Sequence, residues 1–431
     1  MIYSVVILLL VTNVFSKIQS VININRHGAR SPKSFNNISS KLYYGGARSQ
    51  LSVQGLRQHQ LLGKWIYQKY VKEHKLLTKH YEPLDSLFIS SPSQRAIFSG
   101  TAYIQGLYSK YIVKPVFGKE KSNMKGDNFP PIKDFKEQIH PKRLKEIPLK
   151  IVNSYGDFLF HSVNCKMTKD SKEEVKKEEF IKKSIFPEYT QEEIVSVVND
   201  VKDHLPYLFT DISPEVYYTK KFMSTLFSYL KQIEPVLKET HDFKETTYQA
   251  LRSFFINKNY GLAITDSRGV KLASSGFLNN ILKYFDMHVK NDFINKKKLV
   301  LFSGHDTNLF AIWANLLDNQ YLLNKCIDGK YNAKSYEFLI MSFASSFIVE
   351  LHSHDFAKDI YYVKIIFNGE EINDGFHKDL VYEDILGGFE YENFKKFLLS
   401  RIDPFYRELY CNVNDDIDYT KPNNQKFADF E

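Results

Sequence analysis

The sequence of 431 residues predicts an α/β domain interrupted by a long, mainly helical insertion. Three observations lead there. Strand-forming runs at residues 21–24, 86–90 and 298–303 each break into a turn or loop that leads to a helical pattern. Between the second and third, residues 111–297 carry few strand-like runs and several helical ones, such as 192–201 and 222–237. Finally, the polar residues that could do chemistry sit where those strands end, and α/β sheets bind ligands at the carboxyl ends of their strands.

The chain opens on an apolar run, residues 5–11, too short to span a bilayer and followed by Val14 and Ser16. It reads as a secretory signal peptide over residues 1–16, cut after Ser16, with Ser20 the second candidate. A buried first strand is the competing reading, since the segment before the run lacks Lys and Arg. Val21, Ile22 and Ile24 then form a strand that breaks into Arg26-His27-Gly28-Ala29-Arg30-Ser31-Pro32. Gly28 allows close backbone approach or a positive φ, and Pro32 stops regular continuation.

A histidine between two arginines crowds like charges, so an anion is expected there. Forked guanidinium donors match phosphate oxygens. They would also disfavour protonation of His27, leaving a neutral, nucleophilic imidazole. A solvated basic turn remains the alternative for this stretch alone.

A loop over residues 33–50, punctuated by Gly45-Gly46, precedes Ser52, the N-cap of a helix with Leu56, Leu62, Ile66 and Tyr70 on its apolar face. The short strand 86–90 runs through Ser91-Pro92-Ser93-Gln94 to Arg95, at the start of a helix with Ile97, Thr101, Ile104 and Tyr108 on its inner face. Arg95 there can meet a phosphate at the helix N-terminus, or simply be a surface arginine in the first turn. Within the insertion, the Lys- and Glu-packed stretch 166–183 reads as a solvated helix face.

The strand 298–303 ends in Gly304-His305-Asp306-Thr307, ahead of a helix with Leu309, Ile312, Trp313 and Leu316 inward. Two antiparallel strands follow, 346–352 and 360–367, with Asn368-Gly369 as a turn signal. His352, His354 and Asp355 read as a wet loop rather than a metal site. Residues 412–431 form a polar, acidic tail.

The totals narrow the partners. Lys and Arg number 58 against 50 acids, a balance of +8, but no long basic tract marks a nucleic-acid groove. No segment after the N-terminal run is apolar for long enough to span a membrane, so no stable membrane association is expected. Three cysteines, Cys165, Cys326 and Cys411, are too few for a disulfide-dense scaffold and fit one pair plus one thiol in an oxidising compartment. One sequon, Asn37-Ile38-Ser39, offers a glycosylation site.

Taken together, Arg26-His27-Gly28-Ala29-Arg30-Ser31-Pro32 and the distal His305-Asp306 resemble the histidine acid phosphatases, branch 2 of the histidine phosphatase superfamily, of the lysosomal and prostatic type. Further similarity lies in Gln50-Leu51-Ser52, Gly55, Gln58-His59 and Gly63, in the segment from Ser90 to Arg95, and in Phe343-Ala344-Ser345-Ser346 with Glu350-Leu351. It extends roughly over residues 18–411 and departs from the pattern at Asn308, where a second Thr is common, and at Ser91-Pro92.

The resemblance implies a three-layer α/β/α, phosphoglycerate-mutase-like sheet domain built from residues 17–110 and 298–411, with residues 111–297 inserted. It implies His27 as nucleophile, Asp306 as proton donor, and Arg26, Arg30, Arg95 and His305 as phosphate ligands. It also implies a Cys165–Cys411 disulfide; Cys326 departs from the family's fuller cysteine set and reads as a buried free thiol. The substrate would be a small phosphate monoester, handled without metal or other cofactor by a secreted or lysosomal protein at acid pH; a homodimer is compatible. The alternatives are a phytase or inositol-polyphosphate phosphatase, which Ala29 leaves open although three cysteines are few for one, and an inactive relative serving as a binding protein. A phosphoglycerate-mutase-like transferase fits worse, given the signal peptide and the His305-Asp306 pair.

Overall fold

The computed structural model describes residues 16–31, 49–109, 147–152, 159–160, 190–206, 243–260, 268–292, 295–329, 341–354 and 360–403, with single positions between them. Residues 1–15, Asn37, the stretch 166–183, Cys165, Cys411 and the tail lie outside the described residues.

Among the described residues one mixed sheet forms the centre. Its strands are β1 (Ser16–Arg26), β2 (Ser86–Ser90), β3 (Lys150–Ile151), β4 (Leu299–Gly304), β5 (Ser346–His354), β6 (Tyr361–Phe367), β7 (Glu370–Ile372) and β8 (Phe389–Glu390). The order is β3-β2-β4-β1-β5-β6-β7, with β8 also on β6. From β3 to β1 the strands are parallel, and from β5 onward each pairs antiparallel. Parallel neighbours need both faces covered, which is why β4 is buried along its whole length and apolar from Leu299 to Phe302.

The first strand starts earlier than its apolar residues announce. Ser16 pairs with His354 and Ser20 with Leu351. Cleavage after Ser20 would therefore strip paired residues from β1, whereas cleavage after Ser16 leaves all but the first pair.

The described helices are α1 (Val53–Ile66, continued by a π-helical segment, Tyr67–Glu73), α2 (Gln94–Leu107), α3 (Gln191–His204), α4 (Glu245–Tyr260), α5 (Arg268–Val289), α6 (Asp306–Leu316), α7 (Asn319–Asp328) and α8 (Tyr391–Arg401), of which α3 and α4 pack on each other. Val21, Leu299 and Leu301 pack on Leu62, Ile66, Tyr103 and Leu107 from α1 and α2. On the opposite face Ile22, Ile24, Val300 and Phe302 pack with Phe277, Phe285, Leu309, Ile312 and Trp313 from α5 and α6. Three layers result. β3 joins the sheet beside β2, and α5 packs on the sheet's second face.

Two expectations need correction. The inner face of α2 is not the stripe through Ile97 and Thr101: Thr101 is exposed and Ile97 half-buried. Ile104 and Tyr108 are buried as expected, but the rest of the face is made by Ala96, Ser99, Gly100, Ala102, Tyr103, Gly106 and Leu107. The reason is a close helix crossing. A Cβ at Gly63 of α1 would stand 2.0 Å from the Tyr103 carbonyl oxygen, and one at Gly106 would stand 2.1 Å from that of Gln60. Small residues allow this approach, and they carry no hydrophobic periodicity to read.

The second correction is His352, which is not in a wet loop. Its ring is buried in β5, with Nε2 2.9 Å from Glu350 Oε2 and Nδ1 3.3 Å from Ser16 Oγ. Tyr70 Oη donates to Glu350 Oε1 at 2.5 Å, and Lys69 Nζ lies 2.9 Å from the same oxygen. The carboxylate is thus held in a satisfied polar knot between the π segment and the sheet, and burial, which would raise its pKa, is outweighed by these partners, so that it falls to about 2.

Replacing Gly63 with Ala should cost about 1–3 kcal/mol of stability through overpacking at the helix crossing. Denaturant unfolding checks this, and the activity of the folded fraction should be unchanged.

Candidate active site

The parallel register brings three strand ends to one edge of the sheet. Arg26 pairs with Gly304 and Ser90 with Ser303, so His27, Ser91 and His305 each follow immediately on the last residue of its strand. The antiparallel β5 begins at the same edge, where Ser346 pairs with Asn25, and the preceding turn brings in Met341, Phe343 and Ala344.

The turn after β1 is gripped on its backbone. His27 N–H donates to the Gly304 carbonyl at 2.9 Å, and Ala344 N–H donates to that of His27 at 3.2 Å. From α1, His59 Nε2–H donates to the Arg26 carbonyl at 3.0 Å, and Gln58 Oε1 accepts from Ala29 N–H at 2.8 Å. Ser52 donates to the Ala29 carbonyl through both its N–H and its hydroxyl while capping α1 at Gly55 N–H. Ser99 of α2 accepts from Gly28 N–H at 3.0 Å. Gly28 serves close approach, not a positive φ: a Cβ there would stand 2.3 Å from the Gly55 carbonyl oxygen.

This grip fixes the chemistry of His27, which is 3 % exposed. Its Nδ1 lies 2.8 Å from the Gly28 carbonyl oxygen. A carbonyl only accepts, so Nδ1 carries the proton and Nε2 keeps its lone pair. Burial, then the positive charges of Arg26, His305, Arg95 and Arg30, hold the His27 pKa well below the usual 6.5. The imidazole is therefore neutral, in the tautomer a nucleophile needs.

All six residues singled out in the sequence meet here. Arg26 is locked by Nη1 donating to the Met341 carbonyl at 2.6 Å, by an ion pair from Nη2 to Asp306 Oδ2 at 3.0 Å, and by the Phe343 ring, 4.2 Å from its guanidinium carbon. Arg30 and Arg95 are placed close enough for their charges to act on His27. Burial lowers the Arg95 pKa, with Asp306 opposing that shift and Arg26 adding to it. The Nε atoms of Arg26 and Arg95 are buried donors with no hydrogen-bond partner among the described residues, a state that an anionic ligand would satisfy.

His305 sits with its ring 5.6 Å from that of His27, edge to face. Its backbone N–H donates to Asn308 Oδ1 at 2.9 Å, and the Asn308 amide donates onward to the Phe160 carbonyl at 2.9 Å. Asn308, a departure from the expected Thr, thus ties the start of α6 to the stretch before α3. Asp306 begins α6, side chain 30 % exposed, and its Oδ1 accepts from Thr307 N–H at 3.0 Å.

Several contributors were not assigned roles in the sequence. Gln58, His59, Ser91 and Phe343 lay inside motifs that marked them without explaining them. Met341 acts through its carbonyl, which leaves no trace in residue type.

Residues 17–368 match the profile of the Histidine phosphatase superfamily (branch 2). The chain belongs to that family. Membership indicates a phosphoric monoester hydrolase. Solved structures with this fold include the phytase from Citrobacter braakii, 14% identical, covering 91% of this chain and 100% of that one with a TM-score of 0.60. The Hafnia alvei phytase in complex with myo-inositol hexakis sulphate is 12% identical, covering 91% and 98%, with a TM-score of 0.59. The phytase from D. castellii is 16% identical, covering 93% and 82%, at 0.54. At such identities the likeness is one of fold.

Within this histidine phosphatase, burial lowers the pKa of His59 from 6.5 to about 4, against the opposing effect of its bond to the Arg26 carbonyl. A depressed histidine pKa means that the unfolded chain takes up the proton first as pH falls. Stability is then lost between pH 6.5 and about 4. His59→Gln, which keeps an N–H donor, should reduce the slope of unfolding free energy in that window by about one proton, ~1.4 kcal/mol per pH unit. Denaturant melts across the window measure it.

Proposed function

We propose that the chain is an acid phosphatase that hydrolyses phosphate monoesters through a phosphohistidine on His27, with Asp306 as the proton donor. The observation that carries this is the His27 tautomer: Nδ1–H spent on Gly28, Nε2 unprotonated, amid three guanidinium groups and His305. Arg26, Arg30, Arg95 and His305 would hold the phosphate oxygens and oppose the charge that grows in transfer.

In the first step the Nε2 lone pair forms a P–N bond as the ester P–O bond breaks. The leaving oxygen keeps the bonding electrons and takes the Asp306 proton. In the second step a water oxygen attacks phosphorus, the P–N electrons return to Nε2, and the Asp306 carboxylate accepts the water proton. Asp306 must be protonated to begin, yet it is ion-paired with Arg26. A phosphate dianion competes for that guanidinium and brings negative charge next to the carboxyl, so both substrate binding and acid pH favour the donor form.

The second reading is a phytase or inositol-polyphosphate phosphatase, supported by the phytases that share this fold. Retention of both His27 and Asp306 argues against an inactive binding protein. Residues 1–16 as a secretory signal would deliver the enzyme to a lysosomal or extracellular space, where a Cys165–Cys411 disulfide and a glycan on Asn37 could form. No described helix is long and apolar enough to cross a membrane.

Hydrolysis of 4-nitrophenyl phosphate at about pH 5 with a chelator present tests the scheme. His27→Ala should lose on the order of 10⁴-fold or more in kcat. Asp306→Asn should lose roughly 10²–10⁴-fold in kcat/KM, which reports the transfer to His27 and not the later hydrolysis, on an alkyl phosphate and much less on the nitrophenyl ester, whose leaving group needs no proton. Equal losses on the two esters would remove Asp306 as the acid.

A further inference from the structure

Two serines between β2 and α2 have no role in the scheme so far. Ser91 is fully buried, and its Oγ lies 2.9 Å from His305 Nε2. On its other side the same hydroxyl lies 3.0 Å from Ser93 Oγ. The Ser91 backbone is itself pinned to the sheet, its N–H donating to the Ser303 carbonyl at 3.0 Å, two residues before His305.

Ser93 adds an independent sign. It stands at the N-cap of α2, where a serine hydroxyl ordinarily accepts an N–H from the first turn, yet it makes no side-chain capping bond. Its oxygen meets Ser91 instead. The helix forgoes the cap, and the hydroxyl completes a chain from the helix start to the His305 ring.

We propose that Ser91, backed by Ser93, is a positioning residue that fixes the His305 imidazole for phosphate binding. With the His305 backbone N–H held by Asn308 and the ring held by Ser91, both the start of α6 and the rotation of the imidazole are set. A hydroxyl donates and accepts, so Ser91 can meet Nε2 whether or not that nitrogen carries a proton. The ring therefore keeps its place while phosphate arrives and leaves. This rests on the reading of His305 as a phosphate ligand.

The test is a double-mutant cycle read as the inhibition constant of inorganic phosphate, with KM and kcat for 4-nitrophenyl phosphate alongside. Ser91→Ala should raise the inhibition constant and KM roughly five- to tenfold, with a smaller effect on kcat, and Ser91→Thr should restore most of it. In a His305→Ala background Ser91→Ala should add less than about twofold. An undiminished effect in that background, or none in the wild type, overturns the role of Ser91. If His305→Ala itself leaves phosphate inhibition unchanged, the phosphate-ligand reading of His305 fails instead. Should Ser91→Ala not fold, Ser93→Ala reads the same coupling: a rise of about two- to threefold that vanishes without His305 supports the relay, and one that persists refutes it.

Discussion

The site depends on one hydrogen bond, from His27 Nδ1–H to the carbonyl of the next residue. Because that acceptor cannot donate, the bond dictates which nitrogen holds the proton, and so which keeps the lone pair that the proposed attack on phosphorus requires. A histidine that bonded a hydroxyl here could exchange tautomers. The carbonyl of Gly28 in turn must stay in place, which explains how much of α1 and α2 is spent on the backbone of residues 26–29. Ser52, Gln58, His59 and Ser99 all turn their polar atoms toward peptide groups of that turn rather than toward the ligand.

The second constraint is charge. Arg26, Arg30 and Arg95 converge on a buried imidazole, an arrangement that is costly without an anion. Asp306 partly relieves it through its ion pair with Arg26. In the proposed scheme the same pair would link binding to catalysis, since a phosphate that claimed Arg26 would also change the environment of Asp306. Arg26 ends β1, and His27 and His305 directly follow β1 and β4, so the spacing of these three is set by the strand ladder, while Arg30 and Arg95 reach the site from the turn after β1 and the start of α2.

Much of this was legible in the sequence because it was written in residue type. The strands 86–90 and 298–303, the Ser52 cap, the inward row of α6 and all six ligand and proton-transfer candidates stood out as apolar runs, caps or clustered charges. What could not be read was carried by backbone and by small residues. The α1–α2 crossing rests on Gly63 and Gly106, which show as an absence of side chain and misdirected the inner face of α2 to Thr101. The two- and three-residue strands β3, β7 and β8 are too short to show a period. His352 looked solvated because Ser16 reaches it only through the pairing of β1 with β5, and its strand neighbour Glu350 is buried by Tyr70 and Lys69, which are remote in sequence.

The central claim is a covalent bond between phosphorus and His27. Mixing the enzyme with radiolabelled phosphate ester, quenching within one turnover in alkaline denaturant and mapping the label tests it most directly. The account predicts label on His27, stable to alkali and lost in acid as a phosphoramidate must be, and none in His27→Ala. Turnover with no trapped label, or label on a hydroxyl or carboxylate side chain, would contradict it.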